Sequence, residues 1–377
     1  MRVGILTIYG GANFGNKLQN YALQQFLKDE NIDSETIRYT VSLGRKKLDK
    51  KEKIELIRKK YFNEGMLEAI WNMKLIIGAK LHKKELAQKV KERNSKFEQF
   101  EKQSVSLSDA IIRSRDELSD YCGKYDAVIV GSDQVWNPYW QGKLDEFFLD
   151  FIPKQKRIAY APSIGVATIP PEQQECFRTR LNGFDYLSCR EVQGCELIEK
   201  LTGNKCEHVC DPVFLLPPEW WKDKVHSVEG KYIVTYFLGG QSQDSRQKIK
   251  RYAKERHCEV IDLWSEKDYT SCYAGIEEFL NYIAGAEMFF TDSFHGCAFA
   301  ILLKTQFVIC ERKAVDAKQK MNSRLDSLMK ILNIQGRKLE EFMSLPTMIN
   351  YDEVHTKLLP WVQKSREYLR DCLENIQ

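Results

Sequence analysis

Short apolar segments alternate with longer amphipathic ones along most of the chain, and this alternation constrains the fold more than any other feature. Residues 2–9, 125–131 and 231–239 are apolar and rich in β-branched side chains, whereas residues 17–31 carry apolar side chains at helical spacing. Repeated strand–helix–strand order favours parallel sheets with helices packed on both faces. We therefore predict an α/β fold built on doubly wound parallel sheets.

The alternation stops once, at residues 215–218 (Leu-Leu-Pro-Pro), and then begins again. Two successive prolines interrupt regular structure because they lack backbone N–H donors. A chain of 377 residues is also long enough for two domains. We predict an N-terminal domain over 1–220, a C-terminal domain over 228–345, and a terminal helix over 346–377 that crosses back onto the first domain.

Residues 45–102 do not fit the alternation and are almost entirely helix-forming. They hold 18 Lys and Arg against 9 Asp and Glu, in a chain whose net charge is only +4. Apolar residues such as Met66, Ile70 and Trp71 lie among the lysines. Basic amphipathic helices of this kind lie on anionic membrane surfaces, but solvated helices packed on a neighbouring domain have the same composition. We consider both a helical insertion in the first domain and a peripheral membrane contact.

Composition argues against several classes of protein. With 57 basic and 53 acidic residues, the chain lacks the strong positive charge of a nucleic-acid-binding protein. It has no apolar run of ~18 residues, so no transmembrane helix is expected. Eleven cysteines without a CxxC pair indicate a reducing compartment, and we expect a cytoplasmic protein. Cys206, His208 and Cys210 lack a second pair of metal ligands, so we predict no metal site.

Ligands of open α/β sheets bind beyond the carboxyl ends of the strands, so the loops there are the candidate sites. The first such loop runs from Gly10 to Lys17 and contains Asn13 and Gly15. It is not a P-loop, because Asn16 displaces the lysine, and its glycines do not have dinucleotide-binding spacing. Backbone N–H groups at this helix start are suited to an anion or a sugar hydroxyl. A tight strand-to-helix turn is the alternative interpretation.

The loop after residues 125–131 places Ser132, Asp133, Trp136 and Asn137 close together. Tryptophan can stack on a sugar ring, and asparagine can hydrogen-bond to hydroxyls, so this composition is typical of a sugar site. Alternatively, Asp133 and Asn137 only cap the turn.

Two arginines are candidate anion ligands. Arg190 follows a predicted strand, where it would offer a planar fork to a carboxylate or phosphate unless it pairs with Glu191 or another acid. Arg324 begins an amphipathic stretch and adds a cation that could face the cleft, with a solvated position as the alternative.

Residues 293–296 (Ser-Phe-His-Gly) follow another strand and run directly into a predicted helix. The first N–H groups of a helix and its dipole favour an anion there. Gly296 would let a ligand approach the backbone closely. His295 beside a bound anion would become a proton donor near neutral pH, although a histidine bonded to a neighbouring carbonyl is the simpler alternative.

Taken together, these segments resemble the polysaccharide pyruvyltransferase family, from the first strand to about residue 340. GSDQVWN and TDSFHG, in that order and at that separation, are the most specific of them. The residues that carry the resemblance are 13–15 (Asn-Phe-Gly), 18–23, 131–137 (GSDQVWN), 159–165, 188–191, 211–213, 291–296 (TDSFHG) and Arg324.

The resemblance implies two facing Rossmann-like domains, as in GT-B glycosyltransferases. It also implies phosphoenolpyruvate as the donor, and a reaction that builds a pyruvate ketal on two hydroxyls of one sugar with release of phosphate. The implied acceptor is a bacterial surface polysaccharide, such as a capsule or exopolysaccharide, or its lipid-linked precursor. No metal and no cofactor besides the donor substrate is implied.

In such enzymes the arginine of the S-x-R-E motif and the histidine of the F-H-G motif are assigned to the donor, and they correspond here to Arg190 and His295. We predict that His295 protonates the enol methylene, and that Asp133 is the base for a sugar hydroxyl, with Asp292 in reserve. The remaining predicted substrate-binding residues are Ser293, Phe294, Gly296, Arg324, Asn13, Gly15, Ser132, Trp136 and Asn137.

Two departures from the family pattern, Lys17 and Cys297, put the acceptor pocket and a phosphate contact in question. Two other functions stay open from the sequence. One is a GT-B-like glycosyltransferase that uses a nucleotide sugar, and the other is a glycan-binding relative without catalytic activity.

Overall fold

The computed structural model describes residues 1–40, 66–140, 145–265, 268–312 and 323–376. The strands are β1 (Arg2–Leu6), β2 (Asp33–Tyr39), β3 (Leu107–Ile112), β4 (Ala127–Val130), β5 (Arg157–Ala159), β6 (Ser188–Cys189), β7 (Glu207–His208), β8 (Tyr232–Tyr236), β9 (Glu259–Asp262), β10 (Met288–Thr291) and β11 (Phe307–Ile309). The helices are α1 (Phe14–Asp29), α2 (Met66–Leu81), α3 (Lys83–Ser104), α4 (Arg115–Cys122), α5 (Pro171–Leu181), α6 (Val192–Thr202), α7 (Pro218–Lys222), α8 (Gln243–Glu255), α9 (Ile276–Gly285), α10 (Phe294–Leu302), α11 (Ser323–Leu332), α12 (Leu339–Ser344) and α13 (Tyr351–Glu374).

The first sheet has five parallel strands in the order β3-β2-β1-β4-β5. Its central strand β1 buries Val3, Ile5 and Leu6, and every residue of β4 is buried. Helices cover both faces, which is why the inner strands β1 and β4 are almost continuously apolar rather than alternating with polar residues. The short parallel pair β6 and β7 lies beside this sheet, and Tyr186 bridges to Ile158 of β5.

The second sheet has four parallel strands in the order β11-β10-β8-β9. It meets the first half of the molecule through buried aromatic side chains. The ring of Phe14 in α1 stacks on Phe279 in α9, with centroids 4.2 Å apart, and also packs edge-on against Tyr236 of β8. The prediction of two facing Rossmann-like domains in a GT-B-like arrangement is confirmed.

The terminal helix α13 crosses back onto the first domain, as predicted. Ser365 Oγ accepts a hydrogen bond of 2.9 Å from the Cys210 backbone N–H. Near the end of the helix, Arg370 forms two hydrogen bonds with the carboxylate of Glu30, at 2.6 and 2.9 Å. Helix α13, which follows the second domain in the sequence, is therefore bonded to the first domain.

Part of the basic insertion predicted over 45–102 lies outside the described residues, namely 45–65. The rest forms α2 and α3, and α3 buries Arg93 and Phe97. The Phe97 ring packs on Phe14 at 5.1 Å, in the aromatic contact between the domains.

The insertion contacts both domains rather than the first alone. Lys17 of α1 pairs with Glu101 of α3, and Lys96 of α3 pairs with Glu278 of the second domain. The solvated-insertion interpretation is therefore incomplete, because α3 lies across the domain junction. Among the described helices, none is both long enough and apolar enough to span a membrane.

Candidate active site

Arg190 directly follows β6, and its side chain is completely buried where the two domains meet. Its Nη1 donates to Asp211 Oδ2 at 2.5 Å. Its guanidinium lies over the ring of Phe294 in α10, 4.3 Å from the ring centroid, so the contact joins the two domains. The acid that pairs with Arg190 is not Glu191, whose carboxylate accepts hydrogen bonds from side chains of the first domain.

His295 is the second residue of α10, and only 8% of its side chain is exposed. Its Nε2 lies 3.3 Å from Asp211 Oδ2, an electrostatic contact without hydrogen-bond alignment. The other side of the ring packs on Gly15, which lies within α1 rather than in the preceding loop. A methyl group on Gly15 would lie 2.1 Å from His295 Nδ1. Glycine here gives the imidazole of the opposite domain room to enter the junction.

Asp211 is the residue that brings these groups together, and the sequence did not identify it as part of the site. It is fully buried, and it also accepts from Ser132 Oγ at 3.0 Å and from the Val213 N–H at 3.2 Å. Burial raises the pKa of Asp211, but the nearby charges of His295 and Arg190 and the hydrogen bond from Arg190 outweigh burial and hold that pKa well below its usual range. In the sequence, an Asp before a Pro has the appearance of an ordinary turn residue.

The N-terminus of α10 points its first N–H groups into the same junction. Ser293 caps the helix by accepting from the Gly296 N–H at 3.2 Å. The N–H groups of Phe294 and His295 come before the first intrahelical hydrogen bond, and no acceptor for them occurs among the described residues. Two free donors and the helix dipole favour an anion at this place.

Gly296 has a packing role within the second domain. A Cβ at this position would lie 2.9 Å from Thr291 Oγ1 and 3.1 Å from the Phe289 ring, both in β10. The glycine is needed because α10 packs closely on the strand that precedes it. The ligand contact of Gly296 stays a prediction.

Asp133 lies between two buried guanidinium groups. Its Oδ1 is 3.5 Å from Arg190 Nη2 and 3.8 Å from Arg324 Nη1. With its amide oxygen turned toward Arg324, Gln134 accepts from Nη1 and Nη2 at 3.1 and 2.9 Å. Burial, together with the nearby charge of Arg190, lowers the pKa of Arg324 to about 10, although the charge of Asp133 opposes the shift. Arg324 is therefore a buried member of the site and not a solvated residue.

Trp136 and Asn137 are not placed for sugar stacking. Trp136 is 1% exposed, stacks on Phe148 at 5.7 Å and donates from Nε1 to the Phe147 carbonyl at 3.0 Å. Asn137 Oδ1 accepts from the Tyr139 N–H at 3.0 Å, which is the turn-capping alternative. The loop turns this tryptophan into the core of the first domain, so the predicted stacking contact is wrong.

Asp292 holds the backbone of a neighbouring loop. Its two carboxylate oxygens accept from the N–H groups of Leu238 and Gly239 at 2.7 and 2.8 Å, and Arg312 Nε lies 3.2 Å away. A carboxylate occupied in this way positions the loop after β8, and Asp133 is the better placed of the two predicted bases.

Asn13 has a local structural contact. Its side chain caps α1 by accepting from the Asn16 N–H at 3.3 Å. The cap begins α1 at Phe14 and so sets the position of Gly15 against His295.

Several buried donors at the junction lack acceptors. Within the described ranges, the Nε and Nη2 atoms of Arg190 find no hydrogen-bond acceptor, like the two N–H groups of α10. Buried donors without acceptors are costly, and in a site from which water is excluded they favour a small anion. In the described part of the chain, no group of three or more His, Cys, Asp or Glu side chains is arranged to hold a metal ion. The donors without acceptors suit the site to a small anion, beside the imidazole of His295 and the carboxylate of Asp133.

Solved structures with similar folds include sugar-nucleotide enzymes and glycosyltransferases. The UDP-GlcNAc 2-epimerase from Methanocaldococcus jannaschii is 12% identical, with 97% of this chain and 94% of that chain covered and a TM-score of 0.41. A putative UDP-N-acetylglucosamine 2-epimerase from Listeria monocytogenes is 10% identical, with 98% and 90% covered and a TM-score of 0.44. Spinosyn forosaminyltransferase SpnP is 9% identical, with 100% and 94% covered and a TM-score of 0.37. Similarities this remote say nothing about what this chain binds.

Comparison of the sequence with curated proteins gives no significant match. A family model described as polysaccharide pyruvyl transferase matches residues 13–313. That range begins at the cap of α1 and includes Arg190, Asp211 and His295. It covers most of both domains and all of the buried cluster except Arg324. The chain belongs to the polysaccharide pyruvyl transferase family.

Proposed function

We propose that this protein transfers the pyruvyl group of phosphoenolpyruvate to two hydroxyls of one sugar, forming a pyruvate ketal and releasing phosphate. The acceptor in this proposal is a bacterial surface polysaccharide or its lipid-linked precursor, and the protein acts in the cytoplasm at the inner face of the membrane. Family membership supports a transferase of polysaccharide biosynthesis. The donor, the ketal product and the location are our inference.

The meeting of Arg190 and His295 at one buried carboxylate is the observation that carries the proposal. Phosphoenolpyruvate presents a phosphate and a carboxylate, and each requires cations and N–H donors. Arg190 has donors without acceptors, α10 supplies the N–H groups of Phe294 and His295, and Arg324 lies beyond Asp133. Because these groups belong to both domains, the donor would bind between them.

In the proposed reaction, His295 gives a proton to the enol methylene, which becomes a methyl group and leaves C2 electrophilic. A sugar hydroxyl attacks C2 while Asp133 takes its proton. Phosphate then leaves with the electrons of its bond to C2, and the second hydroxyl attacks the same carbon and closes the ketal. The first hydroxyl proton passes from Asp133 to the departing phosphate. The proton of the second hydroxyl returns to His295. Arg190 and the α10 N–H groups stabilise the negative charge on the departing phosphate.

Saturation-transfer NMR with phosphoenolpyruvate and with uridine diphosphate tests the donor. We expect saturation of phosphoenolpyruvate and none of the nucleotide. Binding of the nucleotide alone would overturn the proposal in favour of a glycosyltransferase that uses a nucleotide sugar.

Phosphate release tests the assigned residues, with mild-acid-treated polysaccharide from the source organism as the acceptor, because mild acid removes existing ketals. His295→Ala and Arg190→Ala should each slow release by ~100-fold or more. Arg190→Lys keeps the positive charge opposite Asp211 but loses the planar guanidinium that can bind an anion with two N–H groups. If it folds but releases phosphate slowly, the defect lies in donor binding rather than in folding. Exposed Arg113→Ala is the matched control. Unchanged release in the His295 variant would remove it from the mechanism.

A further inference from the structure

A cavity lies beside the loop that precedes α1, in the junction between the domains. It has a volume of about 290 Å³ and is lined by Ala12, Val90, Arg93, Asn94 and Trp264. The first domain contributes the loop before α1, the insertion contributes α3, and the second domain contributes the tryptophan that follows β9. Trp136 lies in the core of the first domain, whereas Trp264 lines this cavity and is partly accessible from it.

Arg93 is a buried cation that has no acidic partner among the described residues. It is 3% exposed, and no carboxylate forms an ion pair with it in the described part of the chain. Its Nη2 donates to the Ala12 carbonyl at 2.7 Å, and its Nε makes no hydrogen bond. Its guanidinium lies 4.5 Å from the Trp264 ring centroid and 4.6 Å from that of Phe97. Aromatic faces stabilise this cation only in part, and buried charges are normally neutralised by a counter-ion.

The other lining residues have the character of a sugar site. Trp264 is half-buried, so part of the indole is accessible from the cavity. Asn94 is exposed, and its amide forms no hydrogen bond with the described residues. Val90 adds a small apolar surface. Ligand pockets start at about 300 Å³, so this cavity suits one sugar unit rather than a nucleotide.

The cavity and the buried cluster are connected through the start of α1 and through the second sheet. Ala12 precedes Gly15 by three residues, and Gly15 packs on the His295 ring. Three residues span at most ~10 Å. In the second sheet, β9 is separated from β10 by β8 alone, so Trp264 follows a strand that is about 10 Å from the strand that leads to His295.

We propose that this cavity, the Arg93–Trp264 pocket, binds the acceptor, and that the acceptor carries an anionic group, either a carboxylate or a phosphate. The sugar ring contacts Trp264, Asn94 holds a hydroxyl, and the anionic group neutralises Arg93. This inference rests on the proposed function, because it names the substrate class for the same site. It also gives the insertion helix α3 a role in acceptor selection.

Saturation-transfer NMR titrations with defined monosaccharides test the pocket. The probes are methyl glycosides with the gluco, galacto and manno configurations, the corresponding methyl uronides, and the corresponding sugar 1-phosphates. We expect at least one anionic probe to bind more tightly than its neutral counterpart. The uronide and phosphate arms identify which anion the pocket takes.

Variants at the pocket separate the two contacts. Trp264→Ala should weaken binding of that probe about tenfold, whereas Trp264→Phe should retain most of it. Arg93→Met should reduce the affinity for the anionic probe to that for the neutral sugar, and Arg93→Lys should keep part of the difference. Exposed Ser95→Ala on the same helix is the matched control.

Phosphoenolpyruvate titrated into each variant shows whether the protein is folded and tests the donor independently. Unchanged donor binding with altered sugar binding supports the pocket. The inference is wrong if no anionic probe binds, if neutral probes bind as tightly as anionic ones, or if the Trp264 and Arg93 variants bind like the native protein. Loss of donor binding in the native protein itself would instead contradict the proposed function.

Discussion

At the scale of single residues, one carboxylate organises the site from both sides of the domain junction. Arg190 and His295 are evident from the sequence, because each lies at the boundary of a predicted strand or helix. Asp211 is not evident, because its two partners are distant. Arg190 lies 21 residues away along the chain, and His295 lies in the other domain. Pairing between distant charges leaves no periodic pattern, so the sequence could supply two members of this cluster but not the third.

Gly15→Ala tests the contact between α1 and His295. Alanine favours a helix over glycine by about 1 kcal/mol, which offsets part of the overpacking cost of about 1–3 kcal/mol, so the variant should still fold. The new methyl group would overlap the imidazole, so His295 must turn away and phosphate release should fall by ~100-fold. In the control Gly78→Ala, in α2, the methyl group would lie 3.3 Å from the Tyr269 ring, which needs to shift only slightly, so this variant should remain active. Full activity of Gly15→Ala would show that the position of His295 is not restricted.

Asp211→Asn tests the charge of the shared carboxylate. Because the pKa of Asp211 in the folded protein lies below the value of ~3.9 in an unfolded chain, its charged form stabilises the fold above that pH. The contribution is lost as the pH falls through the acid range. In urea unfolding, the variant should be less stable than the native protein by about 3 kcal/mol at pH 7, and the difference should shrink toward pH ~3. A difference that does not vary with pH would contradict the assignment.

At the scale of elements, the strand–helix alternation and the terminal helix follow from local patterns and are as predicted. Local patterns do not show toward which part of the molecule a side chain is turned. The loop after β4 has the polar composition of a sugar site, yet Trp136 packs on Phe148, which lies on a later segment. In the same way, the basic composition of the insertion does not show that α3 carries its Arg93 into the junction between the domains.

The outer face of α2 allows the membrane hypothesis to be tested. Met73, Ile77 and Leu81 are 51%, 49% and 78% exposed at helical spacing, among exposed lysines. We propose that this face contacts an anionic lipid surface.

Vesicles with equal parts of phosphatidylglycerol and phosphatidylcholine should sediment the native protein at low salt and not at high salt. Ile77→Ser with Leu81→Ser should lose the binding, and exposed Leu345→Ser should not. Sedimentation that is absent, or insensitive to salt, would leave the insertion without a membrane role.

At the scale of the whole molecule, the candidate site exists only when both domains are in place. The first domain supplies Arg190, Asp211 and Gly15, and the second supplies His295 and the helix start. Buried aromatic rings and α3 hold the domains together on one side of this cluster, and α13 holds them from the outside. Two parallel sheets were predictable from the chain, whereas their relative placement depends on these long-range contacts.

A double-mutant cycle for phosphoenolpyruvate binding tests most directly whether residues of both domains bind the donor. Calorimetric titration of the native protein, Arg190→Lys, His295→Asn and the double variant gives four dissociation constants. Each single change should weaken binding at least ~10-fold, and because both residues meet at Asp211, the two effects should not be additive. Dissociation constants that stay unchanged in both single variants would contradict the account.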